Sequence, residues 1–143
     1  TANTLVYVKG RGIVLDDVSC KGTPQTWGMA AVTAYYKYKA NVIVAEANNG
    51  GAMVKHTIHT IDPTIPVVLV YASHAKEARA EPISSMYEQE KMHHMGVFAE
   101  LEDQQCEWEP GKGMKSPDRL DALVWGFTYL FPDRSVGIVS TNY

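Results

Sequence analysis

Asn41-Val42-Ile43-Val44-Ala45-Glu46-Ala47-Asn48-Asn49-Gly50-Gly51 is the stretch whose reading decides the fold. Val42 to Ala45 is a short continuous apolar run rich in β-branched residues, which reads as a strand buried on both faces. The run ends on a carboxylate, Glu46, and two Asn and two Gly follow. A charge at the tip of a buried strand, beside a loop that lets backbone come close to a ligand, is where an α/β sheet places its chemistry.

Upstream of this strand, Thr23-Pro24 supplies a helix cap and a proline at the first helical position. Trp27, Ala30, Ala31, Ala34, Tyr35 and Tyr38 then recur at helical spacing and predict one apolar face of a helix over 24–39. Further back, Thr4–Lys9 and Ile13–Val18 are β-rich runs joined by Gly10-Arg11-Gly12, which predicts an antiparallel hairpin within residues 1–20.

Downstream, residues 52–61 predict a second helix with Met53, Val54, Ile58 and Ile61 facing the core, ended by Asp62-Pro63. Pro66–Tyr71 reads as another buried strand. Residues 73–80 are polar and basic and read as a loop. A helix carrying Ile83, Met86 and Tyr87 follows, then a short extended segment within 92–98 and a helical turn over 100–105. Residues 109–116 have two glycines, two lysines and no periodicity, so they predict an irregular loop. Ser116-Pro117 repeats the cap-plus-proline start, and a last helix with Leu120, Val124, Phe127 and Phe131 on one face is stopped by Pro132. The tail, 132–143, carries an extra strand at Ser135–Thr141. Helices alternating with strands after an antiparallel hairpin predict an α/β fold with a mixed sheet.

The 143 residues fit one domain, 1–143, with room for a core. Apolar content of 45% against 20% charged excludes a disordered chain. No apolar run is long enough to span a bilayer, and no membrane partner is expected. Cys20 and Cys106 have no metal or disulfide-framework spacing, which points to a reducing, cytoplasmic setting. A net charge of -3 argues against a strongly basic wrapper of nucleic acid. It is also the balance that a carboxylate metal site leaves when its cations are not counted.

Three sets of side chains are candidates for chemistry. Glu46, Asp118 and Asp121 are hard oxygen donors suited to Mg²⁺ or Mn²⁺, and two such ions activate water and stabilise the leaving oxygen in phosphodiester cleavage. Asp118 and Asp121, three apart, share one helix face, although acids in a first helical turn are more often dipole partners on a solvated surface. His56, His59, His93 and His94 lack the spacing of a zinc site and read as surface or packing residues. Lys76 and Arg79, with Lys112, Lys115 and Arg119, flank the acids in two loops and are natural contacts for DNA phosphates if Glu46 holds metal. Their ordinary fate is a solvated surface. Trp108 and Tyr71 are candidate stacking groups, though aromatics are more commonly core. Neither a phosphate-binding P-loop nor a Gly-x-Ser-x-Gly elbow is present.

Several short motifs, in order, resemble one family. They are Val44-Ala45-Glu46-Ala47-Asn48-Asn49-Gly50-Gly51, Lys76-Glu77-Ala78-Arg79-Ala80-Glu81-Pro82, Leu101-Glu102-Asp103-Gln104 and Ser116-Pro117-Asp118-Arg119-Leu120-Asp121-Ala122-Leu123-Val124-Trp125. Leu15-Asp16-Asp17-Val18-Ser19 and the Thr-Pro-x-x-Trp helix start match as well. Together they resemble the C-terminal nuclease domain of tailed-phage terminase large subunits, from about Thr4 to Phe131. The resemblance implies an RNase H-like fold and a two-metal endonuclease that cuts phage DNA during packaging, in the host cytoplasm. It implies Glu46 as the strand-tip metal ligand. It places the C-terminal acid at Asp121 or Asp118, with Asp121 ahead, and makes Lys76 and Arg79 DNA-backbone contacts. Asn48 and Asn49 support the loop. It further implies double-stranded DNA, an ATPase domain, a portal and a small terminase as partners.

One departure matters. The family's first strand ends in a metal-bridging Asp and precedes the hairpin. Here the hairpin is the first element of the 143 residues, which leaves that strand and its Asp out. Asp16 and Asp17 match the following strand. An impaired or repurposed domain is therefore one expectation, and a non-catalytic DNA-binding or assembly module is the alternative to the nuclease. Another RNase H-like nuclease, such as a junction resolvase, is a third reading. The vacant strand position predicts that Ser135–Thr141, or a partner chain such as a second copy, adds to the open sheet edge.

Overall fold

The structure, a computed structural model, describes residues 10–48, 50–72, 75–109, 111–115 and 117–131, together with the backbone of 3–8 and 138–141. β1 (Asn3–Val8) and β2 (Arg11–Asp17) form the antiparallel hairpin that the glycine-bearing turn predicts. Gly10 takes φ +81°, a left-handed conformation that costs glycine little.

α1 (Pro24–Lys37) starts where Thr23 accepts a hydrogen bond from the Thr26 amide at 3.3 Å. The expected face is buried or half-buried from Trp27 to Tyr38, with Ala31 and Tyr35 packed beside Ile58 and Ile65, and buried Gly28 and Val32 widen it. Gly28 marks a close approach. A Cβ there would stand 2.8 Å from Ile61 Cδ1 and 2.9 Å from Thr57 Cγ2, so glycine lets α1 lie close against its neighbour. That neighbour is α2 (Gly51–Ile61), which links β3 (Ile43–Glu46) to β4 (Val67–Ala72). β3 and β4 pair in parallel from Ile43↔Val67 to Glu46↔Val70. The expectation that β3 is sealed on both faces is corrected: Ala45 is buried, but Ile43, Val44 and Glu46 are half-buried. Met53 is also not core. It is 56% exposed, because five residues from buried Ile58 carries it well past one turn, onto another side of the helix.

The expected loop over 73–80 is corrected too. Residues 73 and 74 lie outside the described residues, but α3 (Lys76–Glu88) already begins at Lys76 and keeps Pro82 inside it. Proline costs that helix one backbone hydrogen bond. The polar first turns hold because Lys76 and Arg79 are engaged by the last helix, as set out below. β5 (Met92–His94) pairs in parallel with β2, and α4 (Ala99–Glu107) follows. A half-buried polar chain ties α3, β5 and α4 together. Tyr87 Oη lies 2.7 Å from His94 Nε2, and His94 Nδ1 lies 2.9 Å from Glu102 Oε1, which also accepts from the Phe98 amide.

α5 (Asp118–Leu130) is the central element. Leu120, Val124, Phe127 and Phe131, the expected stripe, are all buried, and so are Leu123, Trp125 and Thr128. Leu120, Leu123, Val124, Phe127 and Phe131 join Val14, Ile83, Met86, Met92 and Leu101 in the larger core; Val32, Ile58 and Ile65 make a smaller one. α5 packs on β1, β2 and β3.

The strands form two three-stranded sheets, β1-β2-β5 and, with β6 (Ile138–Thr141), β3-β4-β6. The class is mixed α/β, as expected, with the strands divided between two small sheets rather than gathered in one. The C-terminal strand exists over 138–141, but its expected place is corrected. β6 pairs antiparallel with β4, from Leu69↔Thr141 to Ala72↔Ile138, on the side of β4 away from β3. The edge of β4 offers it a continuous ladder, so it does not add to the hairpin. Residues 132–137, including the expected stop at Pro132, lie outside the described residues.

Candidate acidic site

Glu46 owes its position to the two glycines that follow it. The Ala47 amide donates to the Val70 carbonyl at 2.8 Å, which holds the end of β3 in register. Gly50 caps α2 at φ +93°. Gly51 packs its Cα against β3: a Cβ there would lie 2.6 Å from the Glu46 carbonyl oxygen. The close backbone approach expected of this loop is thus real, and what approaches is the carbonyl of Glu46 itself. Asn48 is exposed, and Asn49 lies outside the described residues.

The opposing acid, Asp121, stands in the first turn of α5. That turn is capped from a distance. Gln104 of α4 accepts through Oε1 from the Arg119 amide at 3.0 Å and the Leu120 amide at 3.2 Å, filling two of the unpaired donors at a helix start. Lys76 Nζ donates to Asp121 Oδ2 at 2.6 Å, with both side chains partly exposed.

Arg79 lies beneath. It is only 4% exposed, and its guanidinium carbon sits 4.1 Å from the centre of the Trp125 ring. Burial pulls its pKa down, while the carboxylates of Glu46, Asp121 and Glu77 push it back up. Glu46 and Asp121 therefore act on the same guanidinium, one from the tip of β3 and the other from the start of α5. Arg79 Nε and Trp125 Nε1 are buried and find no hydrogen-bond partner among the described residues. Arg79 is thus an interior cation, where the sequence reading expects a surface contact for DNA.

The remaining candidates divide. Asp118 is exposed and is not among the charges acting on Arg79. Arg119 is half-buried and committed to acids: its Nε donates to Asp17 Oδ2 at 3.0 Å, and its terminal nitrogen pairs with Glu100. It fastens β2, α4 and α5 together. Lys112, paired with Glu109, and Lys115 are exposed in the loop where Gly111 and Gly113 take positive φ. Among the histidines, His59 Nε2 contacts the Ile65 carbonyl and His94 serves the polar chain described above. Trp108 packs on the larger core and Tyr71 is 39% exposed.

A family model described as "Terminase RNaseH-like domain" matches residues 6–130. The chain belongs to that family. No curated protein and no solved structure matches it. As a terminase RNase H-like domain it is a nuclease-type domain of the phage packaging machinery, and no helix among its described residues is long and apolar enough to cross a membrane.

RNase H-like nuclease domains generally use divalent metals. In this terminase domain the fit is partial. Glu46 and Asp121 are hard donors that both act on Arg79, and one Mg²⁺ ordinarily takes one or two carboxylates and keeps several waters. A two-ion arrangement needs more acids, and no group of three or more His, Cys, Asp or Glu side chains able to hold a metal occurs among the described residues. Gln104, Asp17 and Trp125, which build the site, carry no local signal. Each acts through a partner distant in sequence.

Proposed function

We propose that this domain binds double-stranded DNA and acts on its phosphodiester backbone with Mg²⁺ or Mn²⁺, as an endonuclease domain of a terminase large subunit. The observation that supports the reading is that Glu46, at the tip of β3, and Asp121, in the first turn of α5, both act electrostatically on the buried guanidinium of Arg79. These two carboxylates would hold one divalent ion. When bound, such an ion supplies Lewis acidity at a phosphate oxygen. Arg79, held over the Trp125 ring, would balance part of the charge of the two acids. Lys112 and Lys115 are exposed to meet the DNA backbone; Arg119 serves by holding the start of α5. A full two-ion site needs a further carboxylate. By family resemblance it would come on a strand between the edges of β1 and β3, both of which α5 backs. The ATPase domain, portal and small terminase are the partners that the same resemblance brings.

A second reading has its own support. Asp121 already holds an ammonium group, which suits a DNA-binding or assembly module without cleavage. One experiment separates the two: plasmid nicking in Mn²⁺, with DNA binding followed across a salt series, for the wild type and Glu46→Ala. Nicking that the substitution lowers by at least about a hundredfold supports the nuclease. Salt-sensitive binding with no nicking supports the module, and absence of both overturns the DNA-processing reading.

A further inference from the structure

We propose that Lys76 is a resident counter-cation that occupies Asp121 and is displaced when a divalent ion binds. The proposal rests on the acidic-site reading above and adds a regulator to it. Its first support is charge. Glu46, Asp121 and Glu77 act on the Arg79 guanidinium and Lys76 pairs with Asp121, so the two cations offset much of the negative charge of the acids. A site whose negative charge is largely offset attracts a divalent cation weakly, because much of the Coulomb attraction that would drive binding is already satisfied within the protein.

The second support is the unequal freedom of the two cations. Arg79 is 4% exposed and pinned over Trp125. It cannot leave without opening the core. Lys76 is the first residue of α3, its side chain is 39% exposed, and it holds Asp121 by a single 2.6 Å contact. A lysine ammonium is a compact charge on a flexible four-carbon stem, which can swing to water at small cost. The fixed guanidinium sets the geometry of the acids, and the mobile ammonium decides whether they are available.

The third support is placement. Lys76 is partly exposed, at 39%, whereas Arg79 is buried, so an ion arriving from solvent competes with Lys76 and not with Arg79. An ammonium released from Asp121 is then free to face a DNA phosphate. Metal and DNA binding are thereby linked through one side chain, and such linkage is reciprocal.

The test is Mn²⁺ affinity by titration calorimetry on the whole 143-residue chain, for the wild type, Lys76→Met, Lys76→Arg and Asp121→Asn. Lys76→Met, which keeps the stem and removes the charge, is expected to bind Mn²⁺ roughly three- to tenfold more tightly. Lys76→Arg keeps the charge and should stay within about twofold of the wild type. Affinity unchanged or reduced in Lys76→Met, with the fold intact by circular dichroism, overturns the proposal. Should that variant not fold, the wild type decides. Acetylation of Lys76, read by mass spectrometry, should rise on Mn²⁺ saturation, and unchanged labelling overturns the proposal. Asp121→Asn keeps the two ideas apart. If it leaves Mn²⁺ affinity untouched, the acidic-site reading fails; if it abolishes binding while Lys76→Met changes nothing, only the role of Lys76 fails.

Discussion

Glu102 shows what one side chain contributes when two donors meet it. His94 and the Phe98 amide both bond Oε1, and together they hold its carboxyl below the ordinary carboxylate range. A depressed carboxylate stabilises the fold above its unfolded value, roughly pH 4.3, and that contribution is lost as pH falls through the lower folded value. Wild type should therefore lose more stability than Glu102→Gln between about pH 6 and about pH 3, read as the shift in urea midpoint. Equal losses would mean that the bond to His94 is not formed in solution. Tyr87, at the other end of the chain, is pushed up to about 12 by burial and stays neutral throughout that range. At this scale the sequence was informative about Glu46, whose position follows from an apolar run ending on a charge. It was silent about Arg79. A lysine and an arginine three residues apart in a polar stretch read as surface, and only Trp125, far along the chain, makes one of them interior.

Among the elements, α5 is the most legible: Ser116-Pro117 predicts its start, which falls at Asp118. Its apolar stripe is fully buried, as helical spacing predicts, because a helix at the centre of a core must present apolar groups to several neighbours. The expected cap Ser116 lies outside the described residues, and the acceptor that sequence does not reveal is Gln104 of α4, which takes the Arg119 and Leu120 amides. Gln104→Ala should cost about 0.5–2 kcal/mol in chemical denaturation. The same change should weaken Mn²⁺ binding if Asp121 depends on the ordered turn. α3 was misread for a related reason. Its polar first turns carry no amphipathic pattern, and tertiary contacts with Asp121 and Trp125 settle them instead. The face of α1 is legible in its spacing, but pattern reading scores Gly28 as empty, whereas helix packing prizes the missing Cβ.

At the scale of the molecule, the alternation of strands and helices was enough for the α/β class, but not for the partition into two sheets. Partition depends on which edges meet, and edges leave no period in the sequence. What joins the sheets is α5, which packs on β1 and β2 of one and on β3 of the other, and whose Phe127 is fully buried against Tyr87 and Phe131. Phe127→Ala should lower stability by about 3–5 kcal/mol, with loss of both sheets in one transition when followed by circular dichroism and by tryptophan fluorescence. Two separate transitions would mean that the sheets are independent. The lateness of α5 in the chain has a further consequence during biosynthesis. The hairpin is complete at Asp17, but the helix that backs it begins at Asp118. At roughly 5–20 residues per second, a ribosome leaves that hairpin without its backing for several seconds. The nascent domain is therefore a client for holdase chaperones until its last helix clears the exit tunnel.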